Sequence, residues 1–203
     1  MSARALIVGC AGPTLSAAER EFLAREQPWG LILFKRNIES PAQVAALIQE
    51  FRGVAGYREA PVLIDQEGGR VQRLSPPLWP DFPPAAEFGA AYGRDPARGV
   101  AVAKLGAQLI ASELAALGIT IDCMPVADLR LPEGHGVIGD RAYGMEIEAV
   151  ARLARAAAEG LISGGVLPVI KHIPGHGRAT ADSHEKLPVV DTGRDVLDAT
   201  DFD

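Results

Sequence analysis

The sequence predicts an α/β fold built on a parallel sheet, and three observations carry the prediction. Short apolar runs alternate with helix-length amphipathic segments along the whole chain. Helix start and stop signals fall between those runs. Polar or charged residues stand after most of them: Lys35-Arg36, Asp65 and Glu67, Asp128, and Lys171-His172. Alternating strands and helices imply a parallel sheet covered by helices. Such folds present their chemistry at the carboxyl ends of the strands. A (β/α)8 barrel would put all these tips on one face. An open doubly wound sheet is the alternative, and the lack of a GxGxxG after the first run counts against its dinucleotide-binding version.

The elements follow in order. The first strand is Ala5 to Val8. Ser16-Ala-Ala-Glu19 has the form of a capping box, in which Ser16 accepts from a backbone N–H and Glu19 reaches back. Phe22 and Leu23 give this helix an apolar face, and Trp29-Gly30 ends it. The second strand is Leu31 to Phe34, with the tip Lys35-Arg36-Asn37. Ser40-Pro41-Ala-Gln43 starts the next helix with Pro at the first helical position. There Val44, Leu47, Ile48 and Phe51 recur at the spacing of one helical face. The third strand is Pro61 to Ile64, and Pro76 to Pro84 reads as a surface excursion after its tip. Asp95-Pro96 caps a long helix running to about Gly118, with Val102, Leu105 and Leu109 inward. The fourth strand is Ile119 to Met124, ending in Pro125–Leu129. A glycine-rich loop leads to Asp140-Arg141. A helix from about Ile147 to Ile162 turns Ile147, Val150, Leu153 and Leu161 to one side, and Gly164-Gly165 stops it. The fifth strand, Val166 to Ile170, reads as buried.

Five strands fall short of the eight a closed barrel needs. The expectation is a single domain over residues 1–203: either it is no barrel, or it is a barrel truncated after about five β/α units.

Bulk properties narrow the class. Of 203 residues, 48% are hydrophobic and 23% charged, as in soluble globular proteins. The net charge of -6 argues against a nucleic-acid partner, and no basic run suits a membrane surface. The apolar stretch after Met1 is too short for an export signal, and no run approaches the roughly 20 residues that span a bilayer. Cys10 and Cys123 are far apart in apolar segments and read as reduced core thiols. A cytoplasmic location is expected.

The densest chemistry lies in Lys171 to His184, K-H-I-P-G-H-G-R-A-T-A-D-S-H. His172 and His176 are four apart, a spacing that would align two metal ligands on a helix. Pro174, Gly175 and Gly177 forbid that helix and no cysteine is near, so no metal is expected. In an extended segment Asp182 and His184 point the same way. The carboxylate can then orient the ring and stabilise its charged form, which suits a group that gives and later takes a proton. Asp65-Gln-Glu-Gly-Gly-Arg-Val-Gln-Arg73 reads as a cation site, a ligand clamp for sugar hydroxyls, or a solvated loop. Asp140-Arg141 alone reads as a surface pair.

Together these motifs resemble family 3 glycoside hydrolases, in particular the bacterial β-N-acetylhexosaminidases of cell-wall recycling. The residues carrying the resemblance are Leu63-Ile-Asp-Gln-Glu-Gly-Gly-Arg-Val-Gln-Arg-Leu74, Ile138-Gly-Asp-Arg-Ala-Tyr-Gly144, and Lys171-His-Ile-Pro-Gly-His-Gly177 through Asp182-Ser-His184. The resemblance runs through essentially the whole chain. It implies a (β/α)8 barrel and cytoplasmic, cofactor-free, retaining hydrolysis of terminal N-acetylglucosamine from anhydro-muramoyl fragments, through a covalent glycosyl-enzyme. Position by position, it implies His184 as general acid/base with Asp182 its partner. It implies Asp65, Arg73, Arg141, Lys171 and His172 as the groups that bind the sugar. The family's nucleophilic aspartate lies on a later strand and is expected beyond residue 203. None of Asp191, Asp195, Asp198, Asp201 and Asp203 is assigned that role, so little hydrolysis is expected from these residues alone. A phosphorylase of the same architecture and a non-catalytic N-acetylglucosamine-binding protein are the alternatives.

Overall fold

Ser16 and Glu19 form the predicted capping box: Ser16 Oγ accepts from the Glu19 backbone N–H at 3.2 Å, and Glu19 Oε2 accepts from that of Ser16 at 2.7 Å. These bonds lie in a computed structural model that describes residues 3–202; Met1, Ser2 and Asp203, the ends of the expected domain, lie outside the described residues. The cap opens α1, Ala17–Glu26. Gln27 takes the left-handed conformation at φ 47° and its N–H bonds back to Leu23. The helix therefore ends before Trp29-Gly30, which belong to the strand β2, Pro28–Leu33. Of the two residues expected on its apolar face, Leu23 is buried. Phe22 is 40% exposed, with the Arg25 guanidinium 5.9 Å from its ring centre.

The strand β1, Arg4–Val8, lies parallel to β2. Ser40 accepts from the Gln43 N–H and Pro41 begins α2, Pro41–Ala55, which buries Val44, Leu47, Ile48 and Phe51 as the spacing predicts. Then come β3, Val62–Ile64, and an antiparallel hairpin of β4, Gln66–Gly68, with β5, Val71–Gln72. The helices α3, Ala85–Arg94, and α4, Pro96–Leu117, precede β6, Ile121–Asp122. The chain continues through α5, Ile147–Ser163, and β7, Leu167–Pro168, to the short α6, Arg194–Asp198. The main sheet runs β1-β2-β3-β6-β7, entirely parallel. Strands enter it in chain order with helices between them, which is the arc of a (β/α) barrel left unclosed among the described residues.

Three further expectations change. On α4 the residues turned inward are Gly99, Ala103, Ala107, Ile110, Ala111, Leu114 and Leu117, while Leu105 and Leu109 are each 53% exposed and Val102 is half-buried. The cause is the closeness of α5. A Cβ on Gly160 would stand 2.4 Å from the Lys104 carbonyl oxygen, and one on Gly164 would stand 2.4 Å from the Ala111 Cβ. Helices this close select small residues at the contact, so the alanine stripe faces in and the leucine stripe out.

The fifth strand is the second change. Its ladder covers only Leu167–Pro168, although Val169 and Lys171 continue to donate to the Asp122 and Pro125 carbonyls. Val166 is buried, but Leu167 and Ile170 are exposed, because β7 pairs only with β6 and its outer flank is uncovered by any described strand.

Third, the proline-rich stretch is packed down rather than being a free excursion. Trp79 and Phe82 are buried, the Phe82 N–H donates to Gln72 Oε1 at 3.1 Å, and the Phe82 carbonyl accepts from Gly69 at 2.7 Å.

Candidate active site

The tip of β3 is set by Gln66. Its side chain is buried and staples the hairpin: Nε2 donates to the Leu74 carbonyl, and Oε1 accepts from the backbone N–H groups of Arg73 and Leu74. Its own N–H donates to Asp122 Oδ1 at 3.0 Å. With Gln66 turned into the core, alternation along the extended chain presents its neighbours Asp65 and Glu67 on the opposite side. Gly68, at φ 90°, makes the turn possible; a Cβ there would also lie 2.4 Å from the Pro83 carbonyl oxygen.

From these two carboxylates an alternating chain of charge runs across the strand ends. Asp65 accepts from Arg73 Nη2 at 2.9 Å on one oxygen and from Lys171 Nζ at 3.0 Å on the other. Lys171 also meets Glu67 Oε1 at 2.5 Å. Glu67 takes the Arg141 guanidinium with both oxygens, at 2.8 Å each. Arg141 Nη2 lies 3.3 Å from His172 Nε2, and His172 Nδ1 lies 2.6 Å from Asp128 Oδ2. The remaining Asp128 oxygen accepts from the His176 backbone N–H at 2.6 Å. A guanidinium only donates, so the Arg141 contact requires His172 Nε2 to accept and Nδ1 to carry the proton toward Asp128.

This arrangement fixes the charge states. Burial pushes the Asp65 carboxyl up, but Lys171 and Arg73 outweigh it and hold the group below the ordinary aspartate value. Burial likewise raises Asp128, and the His172 and His176 hydrogen bonds bring it below the usual range. Asp122, fully buried beneath them with Oδ2 unpartnered, is driven well above the usual range by desolvation. Cys123, expected in the core, is half-buried on the cavity wall; burial pushes its thiol up to about 11.

The second group of residues is the loop after β7. Asp182 Oδ1 accepts from both the backbone N–H of His184, at 2.9 Å, and its ring Nδ1, at 2.7 Å. These bonds keep the Asp182 carboxyl below its ordinary value, the backbone donor contributing more than the ring. Nδ1 is thereby occupied and Nε2 is the nitrogen left to exchange a proton. The His184 side chain is 85% exposed.

All seven residues singled out by sequence, Asp65, Arg73, Arg141, Lys171, His172, Asp182 and His184, line one cavity of about 520 Å³. Its walls include Val137, Ile138 and Val169. Arg141 is no surface residue: its side chain is 11% exposed, and its sequence neighbour Asp140 pairs instead with Arg70 at 2.8 Å. The tip of β2 takes no part; Arg36 bonds the Cys10 carbonyl and stacks on Phe34. Among the described residues no three His, Cys, Asp or Glu side chains converge as metal ligands, and the His172 and His176 rings meet edge-on at 5.9 Å. Sequence reasoning placed Glu67 only within the stretch of residues 65–73 and Asp128 only among the strand tips, and singled out neither of these two carboxylates that tie the cations together. The available signal was their place at strand tips, with Glu67 two residues from Asp65.

Residues 5–202 match the profile described as Glycosyl hydrolase family 3 N terminal domain. A beta-hexosaminidase of Xanthomonas axonopodis pv. citri (strain 306) is 40% identical over 197 residues, which is 97% of this chain and 58% of that protein. The crystal structure of NagZ from Neisseria gonorrhoeae in complex with N-trifluoroacetyl-D-glucosamine is similar at a TM-score of 0.92 and 33% identity, over 98% of this chain and 58% of that one. A family 3 beta-N-acetylglucosaminidase from Paenibacillus sp. str. FPU-7 gives a TM-score of 0.85 and 36% identity, over 97% of this chain and 36% of that one. The chain thus spans 58% of the length of the curated relative it matches.

Proposed function

We propose, given that the chain belongs to glycosyl hydrolase family 3, that it forms the sugar-gripping and proton-transferring part of a retaining β-N-acetylhexosaminidase. The observation that supports this most is the convergence of Asp65, Arg73, Arg141, Lys171, His172, Asp182 and His184 on one cavity. Alternating carboxylates and cations offer fixed acceptors and donors to the hydroxyls and acetamido group of a terminal N-acetylglucosamine. The N-trifluoroacetyl-D-glucosamine of the gonococcal neighbour is a close analogue of that sugar.

Retaining hydrolysis needs an acid for the leaving oxygen and a carboxylate nucleophile on the opposite ring face. In this reading His184 Nε2 protonates the leaving oxygen. Asp182 stabilises the imidazolium beforehand, and the neutral ring then takes a proton from the attacking water. The two carboxylates lining the cavity are already engaged: Asp65 by Arg73 and Lys171, and Asp182 by His184. As the family resemblance implies, the nucleophile is assigned to a later strand, outside these 203 residues. As substrate we propose anhydro-muramoyl cell-wall fragments, with or without peptide, recycled in the cytoplasm.

Titration of the chain with N-acetylglucosamine, followed by the Nε signals of Arg73 and Arg141, should give saturable shifts that glucose does not reproduce. An absence of saturable shifts would overturn the reading. A chromogenic N-acetylglucosaminide should not be turned over by the chain alone, and turnover would show that its own carboxylates suffice.

A further inference from the structure

The loop from Gly175 to His184 has a clamped base and a free tip. On one side the base rests on the segment after β6. Gly177 packs so tightly there that a Cβ would lie 2.1 Å from the Leu129 carbonyl oxygen, and Gly134 packs as tightly on the Gly177 carbonyl. The His135 N–H donates to the Ala179 carbonyl at 2.7 Å. On the other side the base is gripped by one side chain, Arg178. Its Nε meets Asp201 Oδ2 at 2.6 Å and its Nη2 meets Thr200 Oγ1 at 3.0 Å. Its Nη1 lies 3.8 Å from Glu133 Oε1. The Arg178 and Asp201 side chains are 15% and 6% exposed, so this ion pair is far less screened than a surface one. Beyond Ala179 the bonds turn local: the His184 N–H and ring and the Glu185 and Lys186 N–H groups all close on Asp182. The tip thus carries the Asp182–His184 pair as a self-contained unit, mounted on a base that Arg178 ties to residues 200–201.

We infer that Arg178 is a positioning residue, which fixes the base of this loop against Thr200 and Asp201 so that the Asp182–His184 unit stands over the sugar cavity. Arg178 is absent from the cavity lining, so it acts through the loop and not on the ligand. A guanidinium suits the task, since its planar fork reaches the carboxylate and the hydroxyl together and fixes direction as well as distance. The inference rests on the reading of Asp182 and His184 as the proton-transfer pair.

The test uses a phenyl thioglycoside of N-acetylglucosamine, a probe that fills the sugar and leaving-group positions without being cleaved. In the unaltered chain it should shift the His184 ring signals together with the Nε signals of Arg73 and Arg141. In Arg178→Ala the arginine shifts should persist and the His184 shift should be lost or fall several-fold, and Arg178→Lys should recover part of it. An unchanged His184 shift in Arg178→Ala overturns the inference. Loss of all the shifts together in a folded Arg178→Ala also overturns it, since Arg178 would then only support the fold. Should Arg178→Ala fail to fold, Thr200→Val removes one of the two close contacts. It should weaken the His184 shift alone, and an unaltered shift overturns the inference. If the probe shifts neither set in the unaltered chain, the sugar reading falls and takes this inference with it.

Discussion

Arg141 and Glu67 meet as a two-point pair, Nε on Oε2 and Nη2 on Oε1, each at 2.8 Å, with side chains 11% and 6% exposed. They come from elements 74 residues apart. The pair locks the guanidinium plane and so directs Nη2 at His172. It also leaves Glu67 Oε1 shared with Lys171. One carboxylate therefore sets the orientation of two cations that line the cavity.

Glu67→Ala removes the shared acceptor and leaves Arg141 facing a buried gap. Breaking one side of a buried ion pair costs about 3–5 kcal/mol, and the urea midpoint of the chain should fall accordingly. A midpoint unchanged from the parent would mean that water replaces Glu67 freely and the network is not structural.

Acid should weaken the fold through Asp65 and Asp128. Both have folded-state values below the unfolded aspartate value of about 3.9. The folded chain thus binds fewer protons, so their stabilisation is present above that value and is lost as pH falls through the lower, folded one. Unfolding free energy should decline below about pH 4. Asp128→Asn should be less stable at neutral pH and show a shallower acid slope. A slope equal to the parent's would remove Asp128 from this account.

Gly160→Ala puts a methyl 2.4 Å from the Lys104 carbonyl oxygen and 2.8 Å from the Ala107 Cβ. The α4–α5 contact must open, at a cost of about 1–3 kcal/mol, read as a lower Tm. Leu109→Ala, on the exposed stripe of the same helix, should change stability by no more than about 0.5 kcal/mol. The reverse order would restore the leucine-inward arrangement that periodicity predicts.

Asp182→Asn removes the carboxylate that holds the proton on His184 Nδ1. The ring nitrogen shifts, measured above the titration of the imidazole, should report a smaller population of the Nδ1–H tautomer than in the parent, with the Lys171 and His172 signals unmoved. An unaltered tautomer ratio would mean that the contact does not orient the ring.

Much of this architecture is written locally. The caps at Ser16, Ser40 and Asp95 and the buried face of α2 each depend on residues within a turn or two, so spacing alone reveals them. The seven cavity residues were legible because they stand at strand tips or in quoted motifs. What could not be read is what each tip residue touches. Whether Arg141 is a surface ion or half of a buried pair depends on Glu67, a neighbour created only by the sheet. The face of α4 depends on how near α5 comes, and the exposure of Leu167 and Ile170 on what flanks β7. Periodicity counts apolar residues; it does not measure the gap to the next element.

The alternating chain from Arg73 to Asp128 has a consequence for the order of folding. Its contacts join residues far apart in sequence: Lys171 to Asp65 across 106 positions, Arg141 to Glu67 across 74, and His172 to Asp128 across 44. Long loops must close before such contacts return any stabilisation. The link from Lys171 to Asp65 can form only once β3, β6 and β7 stand side by side. The ion-pair network around the cavity is therefore complete only when those strands have paired, and no single β/α unit can build it alone.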